Sequence, residues 1–136
     1  MPTIPSTIGG VAIEFAGGVN KDVHQRMVDG LKHCIKSQIA PDHTLKKIYI
    51  SSAYDSHSLP SRHMQQKAVD ISRVNGTKIA IGYPQGGAIK AIVDAIQNAF
   101  EGYKHKRENF GPHLKKKLGQ DRSISGHNDH IHLSVN

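Results

Sequence analysis

The spacing of hydrophobic positions changes several times along the chain, and each change marks an element. Val11-Ala12-Ile13-Glu14-Phe15 reads as a short strand after an extended lead-in over residues 1–10, and Gly17-Gly18 closes it. Asn20 suits a helix N-cap, and Val23, Met27, Leu31, Cys34/Ile35 and Ile39 then recur at helical spacing. A helix is therefore predicted over 21–39, stopping before Pro41. Residues 45–54, where Ile48 and Ile50 alternate with Tyr49, predict a strand, and the polar stretch 55–61 with Pro60 predicts a loop. Two more strands, over 68–74 and 77–83, flank Asn75-Gly76, the dipeptide most typical of a tight hairpin. Pro84-Gln85-Gly86-Gly87 turns the chain into a second helix over 88–103, with Ile89, Ile92, Ile96 and Phe100 as its buried stripe. Residues 104–122 read as a loop-rich basic segment. The expected fold class is α+β, a small antiparallel sheet with two main helices, in one domain over 1–136.

The last stretch, His127-Asn128-Asp129-His130-Ile131-His132-Leu133-Ser134-Val135, differs in kind. On a strand its period puts His130 and His132 on one face and Ile131, Leu133 and Val135 on the other. One face is built to pack and the other presents imidazoles. Upstream, His63 and Asp70 flank a short segment that enters another core strand. Two imidazoles and a carboxylate make the ligand set of a catalytic zinc site that keeps a position open for water. The weight lies in the conjunction, because a lone His-x-His is a weak signal. His24, His33, His43 and His105, among the ten histidines, read as surface positions.

Composition narrows the picture further. A length of 136 residues suffices for one real hydrophobic core. The formal charge of +7 suits an anionic partner such as nucleic acid, an acidic membrane surface or a wall polymer. The single cysteine, Cys34, excludes an internal disulfide and falls on the apolar face of the first helix, so it is assigned to packing. No apolar run approaches the ~20 residues of a membrane span. Met1-Pro2-Thr3-Ile4-Pro5 lacks the basic-then-apolar pattern of a signal peptide.

Ser61-x-His63-x(6)-Asp70, with Ala68 two residues before the aspartate, resembles the SxHxxGxAxD signature of zinc D-alanyl-D-alanine carboxypeptidases and phage L-alanyl-D-glutamate endolysins. Asp129-x-x-His132 is similar to their second motif, an acidic residue three before the last zinc ligand. Ala-Val-Asp-Ile and His-Ile-His are also similar to stretches of hedgehog signalling domains, which share that fold. Ile50-Ser51-Ser52-Ala53-Tyr54-Asp55-Ser56 resembles the family's Ser-Gly-Tyr-Arg segment, and the likeness covers residues 45–136. It implies a zinc peptidase-like domain of the hedgehog/DD-peptidase fold. Zn²⁺ would be held by His63, Asp70 and His132, with Asp129 as general base and His127 as the alternative base. His130 would support a tetrahedral intermediate or orient a ligand, and Ser61 and Arg62 would lie at the substrate. Two departures stand out. Gln66 replaces the family's glycine, and Asp55 stands where the family often has an arginine that holds a substrate carboxylate or the developing oxyanion. Arg62, Lys67, Arg73 and the basic segment are the cations open to that second role.

The resemblance implies a monomeric zinc metallopeptidase acting on peptides of the bacterial cell wall, with no nucleic-acid partner. Such a protein is expected to be made in the bacterial cytoplasm and to reach the wall after release or export by another system. The alternative is a non-catalytic zinc module of the same fold that binds a protein partner. Nucleic-acid binding through 104–122 has the charge but only Tyr103 and Phe110 nearby to stack on bases.

Overall fold

A computed structural model describes residues 2–53 and 66–136. Strands β1 (Thr7–Ile8), β2 (Val11–Phe15), β3 (Lys47–Ser52), β4 (Ala68–Val74), β5 (Thr77–Lys78), β6 (Lys106–Phe110), β7 (Lys115–Lys117), β8 (Gln120–Asp121) and β9 (Ile131–Val135) join in one sheet. Its order is β1-β2-β3-β4-β9-β6-β7-β8, with β5 beside β4. Helices α1 (Gln25–Cys34), α2 (Ile79–Gly82) and α3 (Gly87–Glu101) complete an α+β fold whose sheet is mostly antiparallel. The exception is β2 with β3, which run parallel from Ala12↔Lys47 to Phe15↔Ile50. Parallel neighbours need a crossover, and α1 lies in the connection between them.

Both long helices bury the stripe their spacing predicts. Met27, Leu31 and Cys34 of α1 and Ile92, Ile96 and Phe100 of α3 are fully buried, together with Ile48, Ile50, Ile71, Ile131 and Leu133 from the sheet. Val93 joins the α3 stripe, whereas Ile89 is only partly buried at its edge. Burial pushes the Cys34 thiol up to about 12, consistent with a packing residue. Gly30 lets the two helices meet, since a Cβ there would stand 3.1 Å from the Tyr103 ring and 3.2 Å from that of Phe100.

Four expectations are corrected. The lead-in holds a strand, β1, which turns through Gly9 and Gly10 at φ 56° and 78°. A side chain at Gly9 would also collide with the Ile35 carbonyl oxygen. Helix α1 is shorter than 21–39 at both ends: His24 is its N-cap and accepts from the Arg26 amide through Nδ1 at 3.1 Å, and the helix stops at Cys34 with Ile35 in extended backbone, so Val23 and Ile39 lie outside it. Asn20 instead accepts from the Asp22 amide at 3.0 Å, a local turn before the helix. After Asn75-Gly76, which turns with both φ positive as expected of a hairpin, the second strand stops at Lys78. Residues 79–82 are helical because only Ile79 and Gly82 of that run are buried, a three-residue spacing that a strand cannot present on one face. Finally, 104–122 is a β-meander. Apart from Phe110 its strands carry only polar residues, so no hydrophobic alternation marks them.

Candidate active site

His132 lies on β9 between two strands. Asp70 of β4 is its partner on one side and Phe110 of β6 on the other. Directly paired residues share a face of the sheet, so this register gathers Asp70, His132 and Phe110 on the side opposite Ile131 and Leu133. The first upstream motif and the chain's last strand thus meet at a single rung of the ladder.

The hydrogen bonds around this rung are specific. His132 Nδ1 stands 2.8 Å from Asp70 Oδ1, and its Nε2 stands 3.0 Å from Glu108 Oε1. Glu108 Oε1 also accepts from Ser134 Oγ at 2.8 Å, and the Glu108 amide donates back to that hydroxyl at 3.0 Å. The Phe110 ring lies over the imidazole, with centroids 5.9 Å apart and planes within 17°. Burial alone would depress His132, but the hydrogen bonds to Asp70 and Glu108 outweigh it and push its pKa up to about 9. Burial likewise favours a neutral Glu108, yet hydrogen bonds from His132 and Ser134 pull it down to about 2.

His127, Asp129 and His130 precede β9. Gly126 and His127 both adopt left-handed backbone, at φ 77° and 59°, which folds the chain over the site. The His127 ring comes to 5.2 Å from Phe110, 5.1 Å from His130 and 5.8 Å from His132, centroid to centroid. Its Nδ1 is buried with no hydrogen-bond partner among the described residues. Burial, then the neighbouring His130 and His132, lower its pKa. Asp129 is 70% exposed, and its Oδ1 stands 2.6 Å from His130 Nδ1. That hydrogen bond holds the Asp129 carboxyl below its ordinary pKa. The other nitrogen of His130, Nε2, faces Asp70 Oδ1 at 4.0 Å.

Of the expected site residues, then, Asp70, His127, Asp129, His130 and His132 converge. His63, Ser61 and Arg62, together with Asp55, lie outside the described residues. Among the described residues no group of three metal-ligating side chains forms. The donors present nonetheless suit a divalent cation. A carboxylate oxygen and an imidazole nitrogen converge at 2.8 Å, a hydrogen-bond distance, and would part to roughly 3.3–3.6 Å to share a tetrahedral zinc with bonds of ~2.0–2.2 Å. Glu108 and Ser134 escaped the sequence reading because they belong to the segment read as loop and to a position without catalytic pattern. Had 106–110 been recognised as a strand, its alternation would have placed Glu108 beside Phe110 on one face.

Comparison with protein families, curated proteins and solved structures gives no match. The site must be read from its own geometry. On that geometry two further features bear on function. Gln66 has φ 60°, a left-handed conformation that glycine adopts at least cost. Lys115 and Lys117 of β7 pair with Phe110 and Glu108 and so share the site's face, and Lys115 Nζ reaches Asn128 Oδ1 at 2.8 Å. Among the described residues no helix is long and apolar enough to cross a membrane.

Proposed function

We propose that the chain is a zinc metallopeptidase of the hedgehog/DD-peptidase type that hydrolyses peptide bonds in bacterial cell-wall stem peptides or cross-links. The observation that carries this reading is the meeting of Asp70 and His132, residues from two separate motifs, with their ligand atoms 2.8 Å apart. Gln66 adds to it. Its left-handed backbone, at φ 60°, falls at the position where the resembled signature has glycine, the residue that adopts such a backbone at least cost.

In this reading His63, Asp70 and His132 hold the ion. A bound zinc supplies a Lewis acid for a peptide carbonyl and makes a water nucleophilic near neutral pH. The remaining work falls to the chain. Asp129, the base expected from sequence, is hydrogen-bonded to His130, so the two act as a pair: Asp129 sets the imidazole's tautomer and His130 Nε2 faces the site. The pair takes a proton from the attacking water and returns it to the leaving amine. His127 covers the site from above the Phe110 ring and, with its pKa lowered, is the neutral second base. Lys115 and Lys117 set positive charge on the same face, which suits the free carboxylates of wall peptides.

Mass spectrometry of purified muropeptides tests the proposal, after incubation with the protein, with chelator, and with zinc restored. Cleavage that chelation stops and zinc restores is the expected result, and the fragment masses name the bond. Intact muropeptides under all three conditions, with one zinc bound per chain, would mean a binding module instead.

A further inference from the structure

We propose that Glu108 is the positioning residue for His132, holding Nε2 so that Nδ1 is the nitrogen presented to a divalent cation shared with Asp70. The inference rests on the metal-site reading above and extends it to a residue outside both motifs.

Three observations support it. First, Asp70 and Glu108 engage different nitrogens of one ring, at 2.8 Å and 3.0 Å, so Glu108 lies across the imidazole from Asp70 rather than beside it. It is placed to orient the ligand, not to join it. Second, Glu108 is itself held. Ser134 Oγ donates to the same Oε1 at 2.8 Å and accepts from the Glu108 amide at 3.0 Å, closing a short loop between β6 and β9. Ser134 is fully buried, so water does not compete for that hydroxyl. Third, Phe110, two residues along β6, stacks on the ring at 17°. The carboxylate fixes the imidazole's edge and the phenyl ring fixes its plane.

The chemistry follows from proton counting. Carboxylates face both ring nitrogens, so each can accept a proton from the ring. A cation shared with Asp70 would take the place of the proton on Nδ1, and the one N–H left on the neutral ring would then be at Nε2, donating to Glu108. Metal-ligating histidines commonly give their second nitrogen to a carboxylate in this way, and loss of that partner weakens metal binding about 10–100-fold.

The test is competitive zinc titration of wild type, His132→Ala, Glu108→Ala, Glu108→Gln and Ser134→Ala, with ¹⁵N-histidine NMR of the zinc-loaded proteins and circular dichroism to confirm folding. Glu108→Ala should weaken zinc about 10–100-fold. Glu108→Gln, whose amide oxygen still accepts from Nε2–H, should recover much of that loss, and Ser134→Ala should lose less than Glu108→Ala. In wild type the spectrum should show metal on Nδ1 of His132 and a protected proton on Nε2. Unchanged affinity in Glu108→Ala, while His132→Ala loses zinc, would overturn the role of Glu108 and leave the metal reading intact. Metal on Nε2 would overturn it as well. A wild-type chain that takes up no stoichiometric zinc overturns both. If Glu108→Ala does not fold, Glu108→Gln decides through the Nε2–H resonance, which must move upfield as the charged acceptor is lost; an unmoved resonance counts against the proposal.

Discussion

The two faces of β9 obey different rules. On the inner one, Ile131, Leu133 and Val135 are fully buried in the hydrophobic core that also holds the buried residues of α1 and α3. On the outer one, hydrogen bonds to Asp70 and Glu108 are among those that hold His132, and Ser134 is linked to Glu108. Apolar packing is nondirectional and distributed, so its loss is graded by volume. A hydrogen-bonded site depends on particular atoms at particular angles, so its loss is abrupt. The same backbone therefore carries a face that tolerates similar shapes and a face that tolerates almost no change of donor or acceptor.

Paired substitutions on adjacent residues break or sharpen that contrast most directly. Leu133→Ala should cost about 2–5 kcal/mol of stability, as buried leucines do, while the folded fraction still binds zinc. His132→Ala should abolish stoichiometric zinc and the proposed peptidase activity. Denaturant unfolding and metal analysis on the two variants read both quantities. A zinc-replete His132→Ala protein would remove the outer face's special status.

Next in size are the groups that precede the strand. Asp129→Asn and His130→Ala should each keep zinc and lose roughly 10²–10⁴-fold in turnover, the scale of a lost proton-transfer group. His127→Ala should cost much less. Turnover on a soluble stem peptide distinguishes them. The reverse order, with Asp129→Asn nearly active, would move the base to His127.

The pH dependence of the zinc-free protein tests the outer face alone. His132's folded pKa, about 9, lies above its ordinary 6.5, so its stabilising pairing is complete below 6.5 and is lost as pH rises through about 9. Glu108's, about 2, lies below its ordinary 4.5, so its contribution is complete above 4.5 and is lost as pH falls through about 2. With chelator present, the difference in urea midpoint between wild type and Glu108→Gln should therefore be greatest between pH 4.5 and 6.5 and shrink on both sides. A difference flat across the whole range would mean the two groups are not paired.

The smallest effect concerns the lysines of β7. Lys116→Gln, on the face of β7 away from the site, should weaken lysis of whole walls at low salt and spare a small soluble peptide, because charges are screened beyond a Debye length of ~10 Å at 0.1 M. Lys115→Gln and Lys117→Gln should affect both substrates, because both lie on the site's face and Lys115 Nζ also holds Asn128, the residue beside Asp129. Equal losses from all three on the small peptide would deny the two faces of β7 their separate roles.

Much of this was legible in residue order alone. The stripes of α1 and α3, the strand at 68–74 and the Asn75-Gly76 turn rest on local periodicity and local backbone preference, which need no distant partner to be read. The two histidine-bearing motifs were equally visible, because their residue types are unusual at that spacing. Tertiary structure decided the rest. Asn109 is buried on β6 because Gln97 of α3 donates to its Oδ1 at 2.9 Å and accepts from its Nδ2 through its carbonyl at 2.8 Å, a polar substitute for apolar packing that leaves no hydrophobic signature. Glu108 meets His132 only because β6 pairs with β9 across 24 residues of chain. Hydrophobic period reveals which face of a segment is buried; which polar side chains then share the other face depends on strand order and register, and those are set by contacts between segments far apart in the chain.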